Sequence, residues 1–158
     1  MNIYKYWLFI YVFSLCFGIN MENLPRCITK LILQKLSIKD LMMFRKVSKN
    51  FNELFKYNLK YLSVDLSDYW SRIKDEHLEI FQNVQKIYLN GCENLTNKAL
   101  FYLQNVQKID LSGCDQITDE GLSYIPNVQE IDLSYCSKIT DNGLSYLQKV
   151  KKIYLNYC

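Results

Sequence analysis

The chain has 158 residues, 49% of them apolar and 22% charged, with a formal net charge of +3. That much apolar side chain excludes a globally disordered polypeptide, and the length suits one ordinary domain or two small ones. The charge is divided: residues 21–66 carry nine Lys or Arg against four Asp or Glu, residues 67–158 carry nine against twelve, and Lys5 supplies the remaining positive charge. The +5 segment suits an acidic partner, but no run of five or more bases occurs, so no nucleic-acid partner is expected.

The first twenty residues read MNIYKYWLFIYVFSLCFGIN, with fourteen uncharged and mostly apolar residues from Tyr6 to Ile19 behind Lys5. A bilayer span takes about 20 such residues. The stretch fits the core of a signal peptide better, although Cys16 and Gly18 are a poor cleavage pair. Three readings stay open: a signal or anchor, an apolar helix docked on the rest, or residues upstream of a working start at Met21. The last is preferred, because the residues after Met21 look cytosolic. A membrane partner is expected only if residues 1–20 are a true anchor.

Residues 21–57 read MENLPRCITKLILQKLSIKDLMMFRKVSKNFNELFKY. Ile28, Ile32 (or Leu31) and Leu36 recur at helical spacing on one face, and Leu41, Phe44, Val47 (or Ser48) and Phe51 on another. Between them Ser37 and Asp40 mark a helix start, and Leu24-Pro25 opens the first helix. The order Leu24, Pro25, Ile28, Ile32, Leu33, Leu36, Asp40, Leu41, Arg45, Val47, Ser48, Phe51, Leu54 is similar to the F-box, over about residues 21–60. Cys27 departs from it where an acidic residue is common, and Ile38 where proline is common. The resemblance implies a small helical module that docks on the acidic Skp-type linker of cullin-based ubiquitin ligases. Leu24, Pro25, Ile28, Ile32, Leu33, Leu36, Leu41, Val47 and Phe51 are the expected anchors. About forty residues rarely build a self-sufficient core, so such a module would lean on its linker or on the repeats for stability.

From residue 84 onward a period of 22 residues governs the chain. Val84, Val106, Val128 and Val150 fill one slot; Ile87, Ile109, Ile131 and Ile153 the next; Leu89, Leu111, Leu133 and Leu155 the third; and Cys92, Cys114, Cys136 and Cys158 a fourth. A degenerate copy over 61–83 retains Val64, Leu66, Ile73, Leu78 and Phe81 and carries one extra residue near SDYWSR. Each VxxIxL alternation predicts a short strand, SGCDQ a bend, and Thr118-Asp119 and Thr140-Asp141 the capped start of a helix. One copy cannot bury its apolar side alone, whereas stacked copies form a parallel sheet and a continuous core. One cysteine per copy predicts a small apolar side chain stacked on its counterparts, since zinc ligands come in close pairs. The unit LxLxxCxxITDxGLxxL resembles the cysteine-containing leucine-rich repeat, with departures at Asn97 and Ala99. The copies are a few residues shorter than is usual in that family, which implies a tight outer helix.

The expected fold is therefore α/β: an N-terminal helical F-box, then a short leucine-rich-repeat solenoid of parallel strands alternating with helices. No catalytic constellation, metal motif or cofactor loop is found, so the chain is read as a non-enzymatic adaptor without cofactor. Lone His77 is read as a surface residue rather than a base. The expected target surface is the set of solvent-facing strand positions, Lys86, Tyr88, Asn90, Lys108, Asp110, Ser112, Glu130, Asp132, Ser134 and Tyr154, with Lys152 and Asn156. The column Tyr88–Asp110–Asp132–Tyr154 suits a basic or arginine-bearing segment, and a merely soluble polar face is an equal alternative. The partners expected are the linker and an unknown protein target, in cytoplasm or nucleus. The competing expectation is an exported or membrane-tethered repeat protein with no ligase role. The sequence ends at Cys158 directly after a strand, which predicts an open edge. Sixteen Lys against three Arg, with a single Ala, indicate an AT-rich genome. In this the chain resembles F-box/repeat proteins of amoebae or of large DNA viruses of protists, the latter implying a host-cell location.

Overall fold

The computed structural model describes residues 63–158. The helical patterns and linker anchors expected over 21–60, and the apolar stretch 1–20, lie outside the described residues. Five three-residue strands, β1 (Ser63–Asp65), β2 (Lys86–Tyr88), β3 (Lys108–Asp110), β4 (Glu130–Asp132) and β5 (Lys152–Tyr154), form one parallel sheet in chain order. The register repeats without slip: Ile87 faces Ile109, Ile109 faces Ile131, and Ile131 faces Ile153. Val64 faces Ile87, 23 residues on rather than 22, so the first coil holds its extra residue between the strands.

Strands this short cannot stand alone, and the backbone bonds run on past them. Leu111 N–H donates to the Asp132 carbonyl at 2.9 Å and Gly113 N–H to that of Ser134 at 2.9 Å. The same two bonds recur one coil later, from Leu133 to Tyr154 and from Tyr135 to Asn156, both 2.9 Å. Each coil therefore meets its backbone hydrogen bonds on its neighbours, as a solenoid requires.

After the bend come three short helices, α1 (Asn97–Phe101), α2 (Asp119–Leu122) and α3 (Asp141–Leu144). Their single turns agree with the tight outer helix expected from the short period. The first coil has 3-10 turns instead, Ser67–Tyr69 and Asp75–Phe81. There His77 Nδ1 accepts a hydrogen bond from the Lys74 N–H at 3.1 Å, so the lone histidine caps the start of its turn. The core is one column of repeated slots: Leu78, Val84, Ile87, Leu89, Leu95, Leu100, Leu103, Leu111 and Ile125 are all fully buried.

Cys92, Cys114 and Cys136 are likewise buried. They do more than fill space. Cys114 Sγ donates to the Leu89 carbonyl at 3.2 Å, Cys136 Sγ to that of Leu111 at 3.2 Å, and Cys158 Sγ to that of Leu133 at 2.9 Å. The carbonyl at each bend, where the chain leaves the sheet, thus finds a donor in the next coil. Burial pushes the Cys92 and Cys136 thiols up to about 11 and raises Cys114 further. They are neutral donors under ordinary conditions, not nucleophiles.

A second lateral ladder lies where each helix begins. Thr96 donates its N–H and hydroxyl to the two Asp75 carboxylate oxygens, at 2.8 and 2.6 Å. Thr140 does the same to Asp119, at 2.8 and 2.6 Å. In the coil between them, Asn97 Oδ1 accepts from Thr118 N–H at 2.9 Å, and Asn97 Nδ2 donates to the Thr118 hydroxyl at 2.8 Å. The expected role of the threonines is thereby divided. Thr96 and Thr140 also accept from the N–H groups of Lys98 and Asn142, whereas Thr118 makes no side-chain cap bond to its own helix. Its hydroxyl is engaged by Asn97. Glycine is required one step on: a Cβ at Gly121 would lie 2.6 Å from Asn97 Oδ1, and one at Gly143 would fall on the Asp119 carboxylate.

Two consequences are measurable. Leu111→Ala removes a fully buried side chain from the middle of the stack, so equilibrium denaturation will show a loss of about 2–5 kcal/mol. Asp119 is held below its ordinary carboxylate value, first by the Thr140 hydroxyl and then by the Thr140 N–H. Its contribution is therefore complete above the unfolded value of about 3.9 and is lost as pH falls through the depressed folded value. Asp119→Asn keeps both bonds, as Asn97 does, but cannot titrate. Urea midpoints taken from about pH 5 down to about pH 2 will fall less steeply in this variant than in the parent.

Candidate functional site

The outward strand positions, free of packing duty, gather into columns across the sheet. The first runs Lys86, Lys108, Glu130, Lys152 in direct register. Lys108 Nζ donates to Glu130 Oε1 at 2.7 Å and lies 5.8 Å from the centre of the Tyr88 ring. The bond to Lys108 lowers the Glu130 pKa, and that same bond raises the pKa of Lys108. Three bases around one acid are thus partly neutralised. A half-buried pair at the sheet surface contributes little to stability, and it reduces what the column offers a ligand.

The middle column runs Asp65, Tyr88, Asp110, Asp132, Tyr154. It is one member longer than the sequence reading made it, because β1 adds Asp65. The VDL of the degenerate copy, aligned with the IDL of later copies, was the available signal. Two carboxylates stand directly side by side, an arrangement that costs energy across a sheet. Part of that cost is offset locally. Asp110 Oδ1 accepts from the Ser112 N–H at 2.9 Å and hydroxyl at 2.7 Å, Asp65 Oδ1 accepts from Ser67 in the same way, and Asp132 Oδ1 accepts from the Ser134 N–H at 2.8 Å. These aspartates close the turn after each strand.

The third expected column is corrected in one place. Asn90 is exposed and Ser112 half-buried, but Ser134 is buried at 4% exposure. Its hydroxyl accepts from Asn156 N–H at 3.2 Å and Asn156 Nδ2 at 3.3 Å, so it serves the turn and is not a solvent-facing contact. Strict alternation fails here because the strand has already ended.

Immediately beyond lies a feature that the alternation did not reveal. The residue before each cysteine takes the left-handed conformation: Gly91 at φ 72°, Gly113 at φ 71°, Tyr135 at φ 63° and Tyr157 at φ 59°. The two tyrosine rings stack with centroids 5.0 Å apart and planes 18° from parallel. Both are exposed, at 56% and 79%. A shallow groove of about 400 Å³ runs between this tyrosine wall and the two glycines, with Asp132 and Asn156 along its side. The slot is readable in the sequence at the same 22-residue period, but a substitution of Gly by Tyr gives no hint of conformation by itself. Among the described residues, no cluster of three or more His, Cys, Asp or Glu could hold a metal ion.

A family model described as F-box domain matches residues 21–63. A second, described as Leucine Rich repeat, matches residues 102–125 and 124–147. The chain carries an F-box domain followed by leucine-rich repeats. The repeat matches span β3, α2, β4 and α3 with the turns around them, and the strands on either side continue the same parallel register. Among solved structures, a chain of the yeast Rad7 and Elc1 complex is similar at 13% identity, with a TM-score of 0.39 over 56% of this chain and 34% of that one. The present chain thus spans about a third of that neighbour's length. No curated protein matches significantly.

Proposed function

We propose that this protein is a substrate-recognition adaptor of an SCF-type (cullin-RING) ubiquitin ligase, its F-box binding a Skp-type linker and its leucine-rich repeats binding the target protein. The observation that carries this reading is the pairing in one chain of an F-box at 21–63 with repeats that present an outward sheet face. The +5 balance of residues 21–66 supports it, since an acidic linker would be met faster by a basic surface. Apolar side chains supply the affinity, with Leu24, Pro25, Ile28, Leu33, Leu36 and Leu41 as leading anchors and Ile32, Val47 and Phe51 beside them.

On this reading the chain performs no chemical step. Its work is positional: holding a target beside a charged ubiquitin carrier raises the effective concentration of the target lysine. Ubiquitin transfer falls to other subunits, and no cofactor is needed. The free thiols at 92, 114, 136 and 158 suit a reducing compartment, cytoplasm or nucleus.

The test is co-expression of the full chain with a Skp-type linker and co-purification through a tag on the chain. Capture of the linker is expected in stoichiometric amount, and Leu33→Asp is expected to abolish it by placing a charge in the apolar contact. Undiminished capture by Leu33→Asp, with the variant folded by circular dichroism, would overturn the proposed docking face. No capture by the parent chain would overturn the ligase role.

A further inference from the structure

The two tyrosines in left-handed backbone need a reason. Bulky side chains rarely adopt that conformation, and strain of this kind concentrates at functional sites. The slot itself is imposed by the ladder: Gly113 N–H is tied to the Ser134 carbonyl and Tyr135 N–H to that of Asn156, both at 2.9 Å, so any residue placed there must accept the same φ. Glycine accepts it freely, and the coils of β2 and β3 use glycine. The next two place large, exposed aromatic rings there. Nothing in the core gains from them, because the rings point away from it and stack only on each other.

Their surroundings define what they can hold. One face of Tyr135 is covered by Tyr157. The other is turned toward the preceding coil, where Gly113 has no side chain to cover it. Coils repeat every ~4.8 Å, which leaves room over Gly113 for one flat group lying against the ring. Asp132 borders that space and is the one charged residue of the groove. Asp110 stands beside Asp132 in register. A flat cation satisfies both features at once. Guanidinium stacks on an aromatic face and bonds to a carboxylate through a planar fork, which an ammonium group cannot do. The polar amides and hydroxyls on the remaining walls suit the backbone of an extended segment.

We infer that the groove between Gly113 and Tyr135 is a recognition pocket for an arginine side chain of a protein segment, with the guanidinium lying on the inner face of Tyr135 and its charge met by Asp132. This site rests on the reading of the repeats as the target-binding part of an adaptor, and it gives that target a chemical class. It sits on the turn ridge at the end of the strand face and shares Asp132 with the middle column.

The experiment is an NMR titration of the full chain, labelled in its tyrosine rings, with the peptide acetyl-Gly-Ser-Arg-Ser-Gly-amide and its Lys and Gln counterparts. Saturable shifts of the Tyr135 and Tyr157 rings are expected with the arginine peptide, several-fold weaker binding with lysine, and none with glutamine. Asp132→Asn should weaken the arginine peptide about tenfold, because the charged bond is lost. Tyr135→Gly restores the residue that earlier coils carry, so it should abolish binding while leaving the melting temperature unchanged or higher. Gly113→Asn tolerates the left-handed backbone but fills the space over the ring, and it should also abolish binding. The inference is overturned if the rings do not respond at peptide concentrations on the order of 10 mM, if the glutamine peptide binds equally, or if Tyr135→Gly binds as the parent does. Linker capture by the same samples separates the two proposals. Capture without peptide binding removes the pocket and leaves the adaptor, whereas peptide binding without capture removes the adaptor and leaves the pocket.

Discussion

Every feature of the described residues depends on one constraint, the in-register parallel pairing of strands only three residues long. Such strands have too few bonds of their own, so the chain must repeat the same turn, the same bend and the same helix start at the same interval. The carbonyl of Gln107 shows how fully the interval is used. It receives the N–H groups of both Gln129 and Glu130, at 2.8 and 3.0 Å, and the Gln129 carbonyl receives those of Lys151 and Lys152 at 2.8 and 3.1 Å. A residue inserted inside a coil must be absorbed where no ladder passes. The first coil does this between β1 and β2, and there the α-helix gives way to 3-10 turns.

The side chains that look like signatures are consequences of that register. Threonine at each helix start meets the acid or amide of the coil before it, and in the second and third helices glycine follows because that side chain occupies the space a Cβ would need, whereas Ala99 fills the slot in the first. The cysteine slot obeys the same rule. A side chain there must be small, because it is enclosed, and must donate, because the leucine carbonyl of the preceding coil faces it. Thiol meets both demands with little cost of burial. Alanine would leave the carbonyl with only the N–H of its own coil's cysteine, and serine would bring a hydroxyl with stronger hydration to lose.

Much of this was legible from residues alone. The 22-residue slots of Val, Ile, Leu and Cys predicted the parallel stack, and the extra residue near SDYWSR predicted the offset of β1. What escaped was whatever depends on a neighbour or on a backbone angle. That Asn97 does for Thr118 what Asp119 does for Thr140 is invisible until the coils lie side by side. Ser134 looked exposed because a two-residue alternation was carried past Asp132, where the strand ends and the turn buries it. The tyrosines before Cys136 and Cys158 share the slot of Gly91 and Gly113, and the left-handed backbone of that slot is not visible in composition, which carries no φ. The F-box anchors lie outside the described residues, and they rest on sequence alone.

The outward face shows why a solenoid suits recognition. Its energy is approximately a sum of coil and nearest-neighbour terms, so a surface residue can change without disturbing coils beyond the next. The unequal columns display that freedom. Where pairing helps the sheet, Lys108 and Glu130 meet in register. Where it does not, Asp110 and Asp132 stand together although like charges oppose each other across neighbouring strands. Ser112 and Ser134 use one oxygen of each, which accounts for an aspartate in each turn but not for two exposed rings one step further on. A fold selected only for stability would keep glycine at positions 135 and 157, where the ladder dictates a left-handed backbone. Tyrosine there costs strain on the order of 1–3 kcal/mol at each position, which the stacking of the two rings on each other offsets in part.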